Sequence, residues 1–295
     1  MYLKIFCLLI FSVYYCFCEE LPFYQSLDNM GIKGKVKSII EKETTVKGSR
    51  HDLIRKNVTS ESKYEVISED LVLIKKYNYL GVTSRFKYNS NHKVIEVTNT
   101  YSKNNNPAGQ TKYYYDKNEI LQYELVYSRS GKLTDSIVFF YDNNNHSTIK
   151  KHFDTSGFNF RTEEIWLNSK EKEIKKIQII GNDNTRIIYN YDSTNVLLQE
   201  EKWYLNEKLV HIILFEYNEN GFLEKKIEKD EKGIVSNIST YEYDIISGLV
   251  ISIKSGENIT SFEYNFDHNN NWIVKYEFFD DYPVKIIERE IEYYK

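Results

Sequence analysis

The sequence predicts an all-β protein of repetitive antiparallel β-hairpins that run into one long, twisted or curled meander sheet. Three observations carry this. The chain holds 26 tyrosines and 16 phenylalanines but only three prolines, a composition suited to pleated strands. Aromatic pairs followed by Asp or Asn recur at intervals close to 26 residues. No stretch of useful length carries the apolar stripe of an amphipathic helix.

The chain opens MYLKIFCLLIFSVYYCFC. Lys4 precedes an apolar run from Ile5 to Cys18, and Glu19 and Glu20 follow at once, the pattern of a secretory leader over residues 1–18. The run falls short of the roughly 20 apolar residues of a membrane helix, so no transmembrane span is expected once the leader is removed. The expected destination is the periplasm, the cell surface or the medium. A cysteine closing an apolar leader also fits a lipoprotein anchor, although Tyr15 and Phe17 are bulky for one. All three cysteines lie in this leader, so the mature chain is expected to lack disulfides, thiol nucleophiles and thiolate metal sites. Thirty-nine Lys and Arg against 43 Asp and Glu give a net charge of −4, which offers no attraction to nucleic acid.

Residues 19–295 read as a single repetitive domain. Its first part, 19–60, is an atypical N-terminal cap in which Gly31 and Gly34 mark turns and Val36 to Val46 forms a strand. Residues 61–265 carry the repeats. Strands end in FKYN (86–89), YYYD (113–116), FFYD (139–142), YNYD (189–192), FEYN (215–218) and YEYD (241–244). A second turn sits between these marks, as in SRSGKL from Ser128, DTSGF from Asp154 and DEKG from Asp230. Asp116, Asp142, Asp192, Asn218, Gly221 and Asp244 are read as turn formers, because Asp and Asn cap nearby amides and Gly accepts positive φ. In EIWLNSKEKEIKKIQII the charged middle imitates a helix, but the repeat phase places a turn at Asn168 to Lys172. Residues 266–295 read as a capping hairpin.

The segment FEYNENGFLEKKIEKDEKG resembles the tyrosine–aspartate (YD, or RHS-type) repeat, roughly Y-x-Y-D-x-x-G-x-L. LDNMGIKGKVKSIIEKE at 27–43 resembles the start of exported, degenerate YD-repeat proteins of Bacteroidetes. FDHNNNWIVKYEFFDDYPVKIIEREIEYY at 266–294, with Asn271, Trp272 and Ile273, resembles their end. The resemblance implies a hairpin scaffold. In large members such sheets wind into shells around a toxin; this chain has too few hairpins for that and shows neither a self-cleaving core nor a toxin segment.

Signals for chemistry are sparse. His146 and His152 flank one strand, a spacing weak for a metal site, and His268 stands among asparagines in a turn. The recurring Asp residues fit turns better than calcium ligands or glycosidase acids. DTSG occurs once, G-x-S-x-G is absent, and GIKGK is no phosphate loop. No catalytic residue, cofactor or metal is therefore expected. Trp166, Trp203 and Trp272 are the candidate ligand contacts. The expected function is a non-enzymatic exported scaffold that binds a polysaccharide or an envelope protein. Two alternatives stand beside it: an assembly component pairing through its edge strands, and a glycan hydrolase, which needs paired carboxylates in a cleft. An outer-membrane barrel would need a continuously apolar outer wall, and the charged KEKEIKK and FLEKKIEKDEK segments weigh against it.

Overall fold

The computed structural model describes residues 24–294 except 26, 28–29, 31, 50–51, 69–70, 80 and 143–145. The predicted leader, residues 1–18, lies outside them. The described chain is built from strands: β1 (Tyr24–Gln25), β2 (Val36–Ser49), β3 (Asp52–Ser68), β4 (Leu71–Tyr79), β5 (Val82–Tyr88), β6 (Val94–Tyr101) and β7 (Pro107–Tyr115). They continue with β8 (Leu121–Ser128), β9 (Leu133–Asp142), β10 (Ser147–Asp154), β11 (Asn159–Leu167), β12 (Glu173–Ile180), β13 (Asp183–Tyr191) and β14 (Leu198–Leu205). The last seven are β15 (Lys208–Tyr217), β16 (Leu223–Asp230), β17 (Val235–Tyr243), β18 (Val250–Ser255), β19 (Asn258–Phe266), β20 (Trp272–Phe279) and β21 (Tyr282–Tyr293).

Turn chemistry sets the strand ends. Asp116 Oδ1 accepts from the amides of Asn118 and Ile120 at 2.8 and 2.9 Å. Asn218 Oδ1 does the same for Asn220 and Phe222, both at 3.0 Å. Three residues after each cap the chain turns left-handed, at Glu119 (φ 61°) and Gly221 (φ 78°). A Cβ added at Gly221 would meet nothing, so glycine serves there for its φ alone. The tyrosine before the cap sits at a bulge: the register shifts at Tyr115, Tyr191, Tyr217 and Tyr243. Each of these hydroxyls donates to a carbonyl at the start of the preceding strand, Val94, Glu173, Leu198 and Leu223, at 2.8 to 2.9 Å.

Bulges bend a strand and tighten its twist. Repeated from hairpin to hairpin, at this rim and at the opposite one (Tyr127, Phe153, Lys229), they let the sheet curl until its ends meet. Successive strands from β3 to β21 pair antiparallel, and β2 pairs with β3 on one side and β21 on the other. Val36 stands opposite Tyr293 and Thr45 opposite Lys285. The result is a closed ring of 20 strands, with β1 added against β4. This corrects the expected open or curled meander: the hairpin period is present, but it builds a barrel. The YD- and RHS-repeat reading, with the wound sheet it implied, is set aside for the same reason.

The register separates two faces. Ile137, Phe139, Ile187 and Ile213 are buried on one; Phe140, Val210 and Ile238 are exposed on the other. The buried face is the inner one, because the N-terminal segment packs Leu27, Met30 and Ile32 against its Ile39, Tyr64, Phe86 and Val97. That cluster fills the seam sector at one mouth. Along the rest of the wall, hydrogen bonds, ion pairs and ring contacts run between neighbouring strands and turns, for example Tyr114 on Tyr123 and Lys275 over Phe262. Rings of 16 to 18 strands already leave an aqueous channel, so 20 strands enclose a lumen that wall side chains do not fill.

The seam carries its own clasp. Asn271 is fully buried. Its Oδ1 accepts from the Lys33 amide at 2.6 Å, and its Nδ2 donates to the Lys33 carbonyl at 2.8 Å and to the Tyr293 hydroxyl at 2.7 Å. The Tyr293 hydroxyl in turn donates to Asp267. Replacing Asn271 by Ala removes three hydrogen bonds at once, to the Lys33 amide and carbonyl and to the Tyr293 hydroxyl, and is expected to lower unfolding stability by about 3 kcal/mol. Tyr217→Phe, which deletes one bond, should cost only about 1 kcal/mol; urea unfolding of the two variants checks this ranking.

Candidate functional site

Inward-facing charges are the least expected feature of the wall. Across β9 to β13 the register aligns Phe139, Lys150, Glu163, Gln178 and Thr185 in one lumenal row, with Ile137, His152, Arg161 and Ile180 beside it. Glu163 sits at the centre with 1% of its surface exposed, and His152 is nearly as buried at 5%. The Arg161 guanidinium contacts Glu163 Oε1, and His152 Nε2 stands 3.5 Å from the same oxygen. The Gln178 side-chain oxygen, oriented by this network, accepts from Arg161 at 2.7 and 3.0 Å.

A carboxylate this buried survives only with compensation. Burial alone would raise the Glu163 carboxyl; His152, Arg161, Lys150 and Lys176 outweigh it and bring it down to about 2. Asp135, on β9, moves the other way: burial raises it against the pull of His152, and Asp154 adds to the rise. One acid held ionised and another biased toward its proton would suit hydrolysis if they faced each other. They lie two strands and two inward-facing positions apart, roughly 16 Å by strand geometry, beyond the reach of paired-carboxylate chemistry. Among the described residues no group of three or more His, Cys, Asp or Glu converges as a metal site.

The sequence-predicted residues are scattered. Trp166 lies on the outer wall with Lys175 Nζ 4.2 Å above its ring. Trp203 lies on the inner wall, its indole donating to Glu201 at 3.2 Å. Trp272 is at the seam, covered by the Arg289 guanidinium at 3.5 Å, while Arg289 also binds Glu41 and the Met30 carbonyl. The three indoles form no common surface. Asp192 and Asp244 cap their turns through backbone amides, and Asp142 ends β9 opposite Ser147. His146 is a turn residue at φ 47°, and His268 packs edge-on to Tyr293 at 5.6 Å. Arg161, Glu163 and Gln178 were missed. The available signal was an acid flanked in register by Lys150 and Gln178 on the face that carries Ile137 and Phe139.

No family model matches the chain, and no curated protein matches it. Among solved structures it is similar to a porin-like protein from Bacteroides uniformis, at 13% identity over 87% of this chain and 96% of that one, with a TM-score of 0.42. It is also similar to TcdB2-TccC3-TEV, at 8% identity over 81% of this chain and 19% of that one, with a TM-score of 0.23. A Bacteroides fragilis protein of unknown function overlaps 50% of this chain and 91% of its own at 12% identity and a TM-score of 0.15. The fold rests on the strand pairings rather than on these overlaps.

Closure also corrects the expected function. A scaffold presenting an open sheet to a polysaccharide or an envelope protein, or pairing through free sheet edges, needs surfaces that the closed ring does not offer: apart from the projecting tip of the β2–β3 hairpin its strand edges are paired, and its concave face is internal. The inner-wall network makes a pH prediction. The folded value near 2 lies below the ordinary 4.5, so the stability due to Glu163 ionisation is present above about pH 4.5 and is lost as pH falls toward 2. Chemical denaturation from pH 7 to pH 2.5 should show the parent losing its advantage over Glu163→Gln in that window.

Proposed function

We propose that this protein is an exported barrel that works through its lumen, taking small polar solutes into a water-filled compartment narrowed at one mouth by the N-terminal segment. The observation that carries this is a closed 20-strand ring whose inner wall holds a buried ion network and, among the described residues, no cross-lumen packing core beyond the seam sector. The apolar leader supports export.

The porin-like protein of Bacteroides uniformis raises the question of whether the ring sits in a bilayer. The outer wall favours water. Lys76, Lys112, Arg186 and Lys202 stand near the middle of outward-facing strand faces, with cross-strand or same-strand acids nearby, such as Lys76–Glu61 at 3.2 Å and Lys202–Glu200 at 2.9 Å. Each Lys or Arg at a bilayer midplane costs about 2–4 kcal/mol, and such residues recur around the ring. A lipid-facing belt would be continuously apolar.

Two measurements test this reading. The mature sequence after the leader has no cysteine, so single thiols can be introduced. Thr185→Cys on the inner wall should react with a small maleimide and resist a large polyethylene-glycol maleimide, while Thr240→Cys on the outer wall reacts with both. A Thr185→Cys thiol inert to both reagents would show a packed interior and end the proposal. On flotation with liposomes the protein should stay in the aqueous fraction; co-flotation with induced solute leakage would replace it with a membrane pore.

A further inference from the structure

The β2–β3 hairpin departs most from the repeat among the described hairpins. Its strands run 14 and 17 residues, whereas the repeat strands run 6 to 10. Pairing of β2 with β21 ends at Thr45, yet β2 and β3 continue together to Ser49 and Asp52. Register shifts at Glu43/Thr44 and Thr44/Val46 bend this arm. Arg55, level with Val46, makes two bonds to Glu288, level with Lys42, at 2.7 and 2.9 Å. To reach it the arm leans over the outer wall. Thr44 and Ile286, paired in register on that wall, are accordingly buried to 6% and 2%.

Between arm and wall lies a cleft of about 440 Å³ with an aliphatic lining of Ile40, Val58, Ile273 and Val274. Its charges are unevenly matched. Arg55 is committed to Glu288, and Lys42 lies 3.5 Å from Glu290 and 4.0 Å from Glu61. Lys56 also lines the cleft and has no acidic partner among the described residues. An apolar trough ending at an uncommitted cation is complementary to one kind of molecule.

We propose that this cleft binds a free straight-chain aliphatic carboxylate, its chain along Ile40, Val58 and Val274 and its head at Lys56. The site lies outside the lumen, so it stands or falls independently of the solute compartment. Calorimetric titration of the full mature chain with hexanoate, octanoate and decanoate should give saturable one-to-one binding. Affinity should rise by about fourfold for each methylene buried. Lys56→Glu and Val58→Asp both change exposed positions, Val58 at 56% exposure, and so leave folding intact; each should weaken decanoate binding at least tenfold. Binding without chain-length dependence, equal binding of an uncharged decyl glycoside, or parent-like affinity in both variants would overturn the assignment. Capture of anionic vesicles without binding of free decanoate would overturn it as well.

Discussion

Everything in this molecule depends on the pairing of β2 with β21. A hairpin array has two raw edges however long it grows, and each edge exposes unpaired amides and carbonyls that invite another strand. Here the pairing of Val36 with Tyr293 through to Thr45 with Lys285 joins the two ends. The clasp at Asn271 then ties the N-terminal segment across the join, so the ring and its partial plug are fixed by the same few bonds. Inner and outer faces have meaning only once this junction exists.

The repeat unit explains how the ends come to meet. The conspicuous tyrosines and aspartates do not gather into a site. The acid caps a turn, the tyrosine before it occupies a bulge, and its hydroxyl ties down the strand before. These bends recur from hairpin to hairpin, and register shifts at Tyr127, Phe153 and Lys229 add others at the opposite rim. Chemistry is left to residues between the marks, and the lumenal Arg161, Glu163 and Gln178 are of that kind.

Much of the secondary structure was legible. Asx caps, glycines at left-handed positions and the 26-residue phase located strands and turns, including the turn at Asn168 that composition alone would assign to a helix. Closure was not legible, because curvature is a sum of small bends at Tyr115, Tyr191, Tyr217 and Tyr243, and periodicity does not report their sum. The placement of the tryptophans was hidden for a related reason. Strand alternation puts Trp166 outside and Trp203 inside, and a bulge carries Trp272 to the seam under Arg289. Which face an aromatic takes depends on register across several strands. The ion network was hidden in the same way, since Lys150, Glu163 and Gln178 are neighbours only after three strands are aligned.

The junction has a temporal consequence. β3 to β20 can assemble from local hairpins as soon as each pair of strands is available, but β2 has to wait, with one side unsatisfied, for the last strand of the chain. The closing contact spans almost the whole sequence, the kind of pairing that pays its loop entropy before any reward. Until synthesis is complete the chain therefore carries two sticky borders, and its ring closes only at the final step.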